Sequence, residues 1–510
     1  MENRLAVTLS GARAALFVLL LMLCRATPAA CEAVPVPGLI GSEPPGLISG
    51  SQRFVSDDGS AVLILGREPG VPAAHFELYV FNPDSGTLTA LTQGSPVVEI
   101  TRPNGFRQTI PVNSAGITAD GSTVFQTYQS GVFADVDPGT GQQIPFLLTR
   151  SEPSYAIDVA TGNRQALPSR VQASAQALGV PFGTTVLDIS ANGRYLLMFE
   201  AFGDGATVPY QTFYYRLDRQ TGAILDIGPT LLAAAPDFVE RFSTQSMMSG
   251  DGRFVAFSGD RGNRLLTPTG GFTSANVARM SGEPYLLDLD AVTLRPAYSF
   301  DISRPRNGGS SLGFLRSLGR TGNVIAFDRT GPTVNEPNPL GAAYIAAADA
   351  QGNLTVLIPP QPWLRGTFGT AFGHIAEGED RIYFQSGEDF VGENPQLSNQ
   401  LFSVEIATGT IRQITNGDDG GRRLVDLGLQ GVLSLGSGLS SVSFIGSSLD
   451  HRIVLVYEYG LEPASGFVAA VRSGSATRLT SRSSPLASQA GVPPLSAAEI
   501  QFGKVYRCSL

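Results

Sequence analysis

The sequence predicts an all-β fold, a β-propeller of seven four-stranded blades. Three observations predict it. First, an aromatic residue opens a short run that closes at a Gly-centred turn about seven residues later. This recurs at residues 79–86 (YVFNPDSG), 155–162 (YAIDVATG), 215–222 (YRLDRQTG), 402–409 (FSVEIATG) and 467–474 (FVAAVRSG). Residues 344–352 (YIAAADAQG) are one longer, and 285–292 (YLLDLDAV) keep the aromatic but lose the Gly. Second, a polar turn followed by an apolar strand precedes each hairpin. Third, the composition is 42% hydrophobic and only 15% charged, with Gly 59 and Pro 34. That suits a sheet-rich chain with many turns and argues against disorder. Repeats spaced by tens of residues signal a solenoid or a propeller. Length alone, 510 residues, would suggest about three domains; one closed ring replaces that expectation.

The elements follow in order. Residues 1–30 read as a signal peptide. Arg4 and Arg13 form a positive start, residues 14–24 (AALFVLLLMLC) an apolar stretch, and small residues surround the expected cut near Ala29 or Ala30. The stretch is short for a bilayer span. The mature chain is therefore expected to have no transmembrane segment and to be periplasmic or secreted. Residues 31–44 form an N-terminal segment, and the propeller occupies 45–480.

Within it the polar turns are 56–59 (SDDG), 118–121 (TADG), 190–193 (SANG), 249–252 (SGDG), 319–322 (GRTG), 377–380 (EGED) and 448–451 (SLDH). Asp-Gly and Asn-Gly suit the positive φ of tight hairpin turns. Each unit thus reads inner strand, turn, apolar strand, variable loop, aromatic strand, Gly turn, outer strand, which is the usual propeller blade. The turn glycines 59, 121, 193, 252 and 322 are 62, 72, 59 and 70 residues apart. The variation falls in the loop between second and third strands, where function often resides. Residues 481–510 comprise a Ser/Pro-rich linker and a terminal strand over 499–508 (EIQFGKVYRC) that completes the ring.

The Asp-Gly turn, the apolar strand and the aromatic-to-Thr-Gly hairpin resemble the repeats of TolB-like β-propellers. They are similar too to the propeller domains of prolyl-oligopeptidase-type peptidases, without the hydrolase domain. The resemblance covers most of the chain after the signal. It implies the propeller fold. Because TolB-like proteins are periplasmic and bind other envelope proteins, it also implies a binding role.

Cys31 and Cys508 stand at the two ends of the mature chain, and Cys24 leaves with the signal. Ring closure brings propeller termini together, so an exported chain could clasp them in a disulfide. Two unpaired thiols, or lipidation of Cys31, are the alternatives. Histidine is scarce: His75, His374 and His451. That excludes the common His clusters of zinc sites and acid–base catalysis. Aligning units on the turn puts Phe54, Gly116, Asp188, Met247, Ser317 and His374 at one inner-strand position. Asp188, Ser317 and His374 are the candidates for a polar channel site; the alternative is three hydrogen-bonded structural residues. No nucleophile elbow is present, since residues 436–440 (GSGLS) miss the Gly-x-Ser-x-Gly pattern.

Two acidic loops, with Asp135 and Asp137 and with Asp418 and Asp419, are weak metal candidates that miss EF-hand spacing. Solvated turns explain them equally. Trp363, the only Trp, stands beside Arg365 in PPQPWLRG. The pair is a candidate contact hot spot, with packing on the ring as the alternative. Net charge is −9 with no basic cluster, so nucleic acid is not an expected partner. The expected function is non-enzymatic binding of an envelope or extracellular protein, peptide or glycan, with no cofactor. The alternatives are a hydrolase or lyase with a channel site, and a purely structural scaffold.

Overall fold

The computed structural model describes residues 31–34, 41–43, 53–68, 77–92, 98–102, 105–110, 112–128, 130–136, 139–235, 238–239, 246–261, 283–297, 314–329, 344–349, 353–358, 371–386, 389–393, 400–414, 423–426, 432–435, 441–451, 453–459, 469–472, 475–478 and 504–508. The fold is a β-propeller. These residues form six four-stranded antiparallel sheets and one of five strands. The expected signal (1–30), the 481–496 stretch, Asp137, Trp363, Arg365, Asp418 and Asp419 lie outside the described residues.

The first sheet runs Gly41–Glu43, Val62–Arg67, Glu77–Asn82 and Thr87–Ala90. The second runs Asn113–Ile117, Thr123–Thr127, Tyr155–Asp158 and Arg164–Ala166. Phe182–Ile189, Tyr195–Phe202, Gln211–Asp218 and Ile224–Asp226 make the third. In the fourth, Phe238–Val239 and Met247–Met248 share the partner Phe254–Arg261, followed by Glu283–Asp288 and Thr293–Pro296. The fifth is Phe314–Leu318, Ile325–Arg329, Tyr344–Ala348 and Leu354–Ile358. The sixth is Ala371–Ile375, Arg381–Ser386, Gln400–Glu405 and Ile411–Gln413.

The seventh sheet departs from the repeat. Its first two strands, Ser441–Ser447 and Ile453–Tyr459, are followed in space by Lys504–Cys508 and then by Cys31–Val34. The terminal strand predicted from its alternation is therefore present and takes the third place. The hairpin motif at 467–474 does not fill it: among the described residues, Ala469–Arg472 and Ser475–Arg478 pair with each other and with no other strand. Within the expected leading segment 31–44, Cys31–Val34 supplies the outermost strand of the seventh sheet and Gly41–Glu43 the first strand of the first sheet.

The core lies between sheets. One cluster joins Phe54, Leu63 and Phe81 of the first sheet to Ile117, Val124 and Ile157 of the second. Another joins Leu187, Leu197 and Phe199 of the third to Val255, Phe257 and Leu287 of the fourth. Ala326 and Ile345 of the fifth meet Phe384 and Phe402 of the sixth. A sheet covered on both sides needs an apolar central strand, which is why the run after each polar turn alternates so little.

Both turn motifs have a side-chain cause. In the polar turn, the first hydroxyl donates to the third residue: Ser56 to Asp58, Thr118 to Asp120, Ser190 to Asn192, Ser249 to Asp251 and Ser448 to Asp450, over 2.5–3.0 Å. The same hydroxyl accepts the N–H five residues on, at Ala61, Thr123, Tyr195 and Phe254. The fourth residue is left-handed, with φ from 65° to 76° at glycines 59, 121, 193, 252 and 322. In the aromatic hairpin, Asn82, Asp158, Asp218 and Asp288 accept main-chain N–H groups two or three residues on, as side chains do in Asx turns.

Candidate functional site

The polar turns form a belt. Asp57 N–H donates to Ala119 O, Ala119 N–H to Ala191 O, and Ala191 N–H to Gly250 O, each at 2.7 Å. Leu449 N–H donates to Asp57 O at 2.8 Å, joining seventh sheet to first. These residues all occupy the second position of their turns. The equivalent residues in the fifth and sixth sheets are Arg320 and Glu377; the sixth turn lies one residue earlier than its sequence motif, at 376–379, with Glu379 left-handed at φ 57° and its N–H donating to Ala376 O.

Charges cross inside this belt. Arg53, one turn-length before Asp57, extends Nη2 to Glu377 Oε2 at 2.5 Å. The first sheet thereby reaches past the seventh to the sixth. Arg320 Nη1 meets Asp57 Oδ2 at 2.8 Å, reaching from the fifth sheet to the first past two others. Contacts that skip neighbouring sheets are possible only where the sheets converge, so these chords cross the axis at the turn end. Arg320 also lies over the fourth sheet: a Cβ added at Gly250 would come within 2.5 Å of its Cγ. Beside it, Glu379 accepts from Thr321 N–H at 2.8 Å and Thr321 Oγ1 at 2.7 Å, tying sixth sheet to fifth.

The Arg53 side chain is 7% exposed and that of Glu377 17%. Burial alone would lower the Arg53 pKa, but the negative charges of Glu377, Asp57 and Asp188 outweigh it and raise the value. Its cation is therefore permanent, as for any guanidinium. Arg53 Nη1 is 3.5 Å from Asp57 Oδ1. Among the described residues, Arg53 Nε and Nη1 and Asp57 Oδ1 make no hydrogen bond. The arrangement neutralises charge and ties sheets together.

A second buried polar group joins sixth and seventh sheets. His451 occupies the turn position held elsewhere by Gly, with φ 59°. Its Nε2 lies 2.8 Å from Asp380 Oδ1, and its Nδ1 3.4 Å from the Tyr383 hydroxyl. Burial, helped by Arg381, lowers the His451 pKa against the pull of Asp380. Burial also raises the Tyr383 phenol.

The expected channel residues fall as follows. Asp188 is fully buried, and its carboxylate accepts the N–H of Ile189 and of Met248, both at 2.8 Å. It staples the third sheet to the fourth. Ser317 is buried in the inner strand of the fifth sheet. His374 lies in the inner strand of the sixth, its backbone opposite Tyr383. The inner strands share a register irregularity at or just before this position, between Ser114 and Gly116, Val186 and Asp188, Leu315 and Ser317, Ala371 and His374, and Phe444 and Gly446. A bulge re-aims the side chain that follows it. Asp135 stands on Gly131–Val136 and accepts the Val136 N–H at 2.9 Å.

Sequence reasoning missed Arg53, Asp57, Arg320 and Glu377. A partial signal existed: the second motif position carries charge at Asp57 and Arg320, where Ala119, Ala191 and Gly250 are small.

No family model matches the chain, and no curated protein matches it. Solved structures do resemble it. An oligogalacturonate lyase from Vibrio parahaemolyticus is 11% identical, with TM-score 0.45, covering 85% of this chain and 91% of that one. A putative TolB from Agrobacterium tumefaciens is 13% identical, with TM-score 0.31, over 70% and 90%. The β-propeller domain of the Trilobed protease from Pyrococcus furiosus is 11% identical, with TM-score 0.36, over 85% and 98%. The chain thus resembles TolB-like and peptidase propellers in fold.

Proposed function

We propose that this chain is an exported β-propeller, its seven sheets the blades of one ring, that binds an envelope or extracellular protein, peptide or glycan without catalysing a reaction. The observation that carries this reading is an asymmetry between the two ends. In an antiparallel meander, the first-to-second and third-to-fourth turns share one end. The remaining connections share the other. The turn end is tight, and the chords of Arg53 and Arg320 cross it. Every added element of the described residues belongs to the opposite end. These are the hairpins Val98–Thr101 with Arg107–Ile110, Gly131–Val136 with Gln143–Leu148, Arg423–Asp426 with Val432–Leu435 and Ala469–Arg472 with Ser475–Arg478, and the helices α1 (Gln172–Leu178) and α2 (Ile227–Ala234).

Elaborated loops on a rigid scaffold are where binding concentrates. The first two hairpins meet through an Arg–aromatic stack. The Arg102 guanidinium lies 5.9 Å from the Phe106 ring and 5.6 Å from Phe146, and Phe146 lies 6.0 Å from Phe133. Phe106 is 61% exposed, unusual for a large aromatic and typical of a contact anchor. Asp188, committed to main-chain N–H groups, supports the non-enzymatic reading.

The test is cross-linking in intact cells and a glycan array, comparing wild type with Phe106→Ser/Phe133→Ser at the elaborated end and Ile224→Ser/Val292→Ser at the turn end. Loss of the captured partner with the first pair only is expected. Capture that depends on the second pair, or turnover of a substrate without a stable complex, would overturn the reading.

A further inference from the structure

We infer that Cys31 and Cys508 form a disulfide that covalently closes the ring. The backbone register carries the inference. Cys31–Val34 and Lys504–Cys508 are antiparallel neighbours, paired Cys31 with Cys508, Glu32 with Arg507, Ala33 with Tyr506 and Val34 with Val505. Directly opposed residues of an antiparallel pair have Cα atoms about 4.5 or 5.5 Å apart, depending on the site type. Disulfides bridge Cα separations of about 4.4–6.8 Å. Both site types fall in that window, so no backbone movement is needed.

Position adds to register. Lys504–Cys508 also pairs with Ile453–Tyr459, Arg507 opposite Ile453 and Lys504 opposite Val456. Cys508 therefore stands one residue past the last described pair with that strand and opposite Cys31 on the other side. Of the two strands that join the chain's ends, the N-terminal one is bound to the rest of its sheet through Lys504–Cys508 alone. Such an end strand frays first. A bond between Cys31 and Cys508 pins it at the fraying end. The loop it closes spans nearly the whole chain, and the loss of unfolded-state entropy grows with loop length.

The chemistry balances with a disulfide-bearing oxidant, such as an oxidised dithiol protein. One cysteine thiolate attacks the oxidant's S–S bond, forms a mixed disulfide and expels one oxidant thiolate. The second cysteine thiolate attacks its partner's sulfur in that mixed disulfide. The Cys31–Cys508 bond forms, and the oxidant leaves as a dithiol with two electrons and two protons. The inference rests on the export reading for its oxidising compartment and on the register for its geometry, and the two can fail separately.

The experiment is peptide mass mapping of the full chain purified from its own cells under thiol-blocking conditions, with thermal unfolding before and after reduction. A Cys31–Cys508 cross-linked peptide is expected, with a Tm drop of at least about 3 °C on reduction. Cys31→Ser, Cys508→Ser and the double variant should each reproduce that drop without adding to one another. Should the variants fail to fold, reduction of the wild type still gives the reading. Both cysteines alkylated as free thiols after glutathione-disulfide treatment of the folded protein would overturn the inference. So would an acyl group on Cys31, since a lipidated sulfur cannot bridge. Thiols that are free in cells yet bridge readily in vitro would leave the clasp standing and sink the export reading instead.

Discussion

Arg53→Met should cost about 3 kcal/mol of stability. Among the described residues, Arg53 is the one cation that meets Glu377, across a 2.5 Å contact whose side chains are 7% and 17% exposed. Removing one partner of a buried pair leaves an uncompensated charge, at about 3–5 kcal/mol. The lower figure applies here for two reasons. Glu377 keeps some water, and the substitution also deletes two donors, Nε and Nη1, that make no hydrogen bond. Apolar replacement of both partners is often near neutral. Arg53→Met/Glu377→Leu should therefore recover most of the loss, with a coupling of about 2 kcal/mol. Urea unfolding at constant slope reads each value. Salt separates this chord from its neighbour. Arg320 and Asp57 are 33% and 25% exposed, so 1 M salt should erode the effect of Arg320→Met and leave that of Arg53→Met nearly unchanged. A single variant within 0.5 kcal/mol of wild type, or a double variant as unstable as the single, would refute the account of the chord.

Three further outcomes follow from turn and burial. Gly162→Ala and Gly252→Ala share a left-handed φ, at 69° and 76°, but a Cβ at Gly162 meets nothing within 4 Å while one at Gly252 falls 2.4 Å from Tyr195 Cδ2. Urea unfolding should show about 1 kcal/mol lost for the first, the conformational cost alone, and at least about 2 kcal/mol for the second. His451 has a lowered pKa, so as pH falls below about 6.5 the unfolded chain takes the proton first and stability declines. His451→Gly, which restores the residue other turns use, should remove that component of the decline between pH 7.5 and 5; an unchanged pH slope would count against it. Burial raises the Glu200 pKa, while its Oε2 accepts Arg170 N–H at 2.9 Å. Wild-type stability should therefore fall as pH rises from the ordinary carboxylate range toward the folded value. Glu200→Gln, which keeps an acceptor, should flatten that fall in melting curves taken from pH 4 to 8.

The repeat was legible because its causes are local. A hydroxyl, an Asp or Asn and a Gly within four residues make the polar turn at residues 56–59 and again at 249–252 without help from the rest of the chain. An Asx three residues after an aromatic makes the hairpin at 215–222. Two things were not legible. The inner strands carry a register irregularity just before Asp188 and Ser317, and nothing in the sequence of either strand announces it. Pairing at a distance was equally hidden. Residues 467–474 and 499–508 both carry strand patterns, and only the ring's closure decides that Lys504–Cys508 takes the third place. Arg53 and Glu377 are 324 positions apart, so their chord exists only once the sheets converge.

The polar groups at the turn end hold the sheets to one another. At the turn end each polar side chain already has a structural task. Asp188 holds Met248 N–H, Ser249 holds Phe254 N–H, and Arg53 and Arg320 offset Glu377 and Asp57. Removing any of them exposes a buried donor or charge, so these positions are costly to vary. At the opposite end such duties fall at the base of the insertions, as where Thr149 Oγ1 donates to Phe182 O at 2.6 Å. A hairpin such as Gly131–Val136 with Gln143–Leu148 is inserted between two strands whose own pairing, Gln126 opposite Tyr155, is undisturbed. Phe106 and Phe133 can therefore be exposed without loss to the ring. If the proposed binding role holds, its specificity is expected to change through those insertions, and the belt of turns to stay as it is.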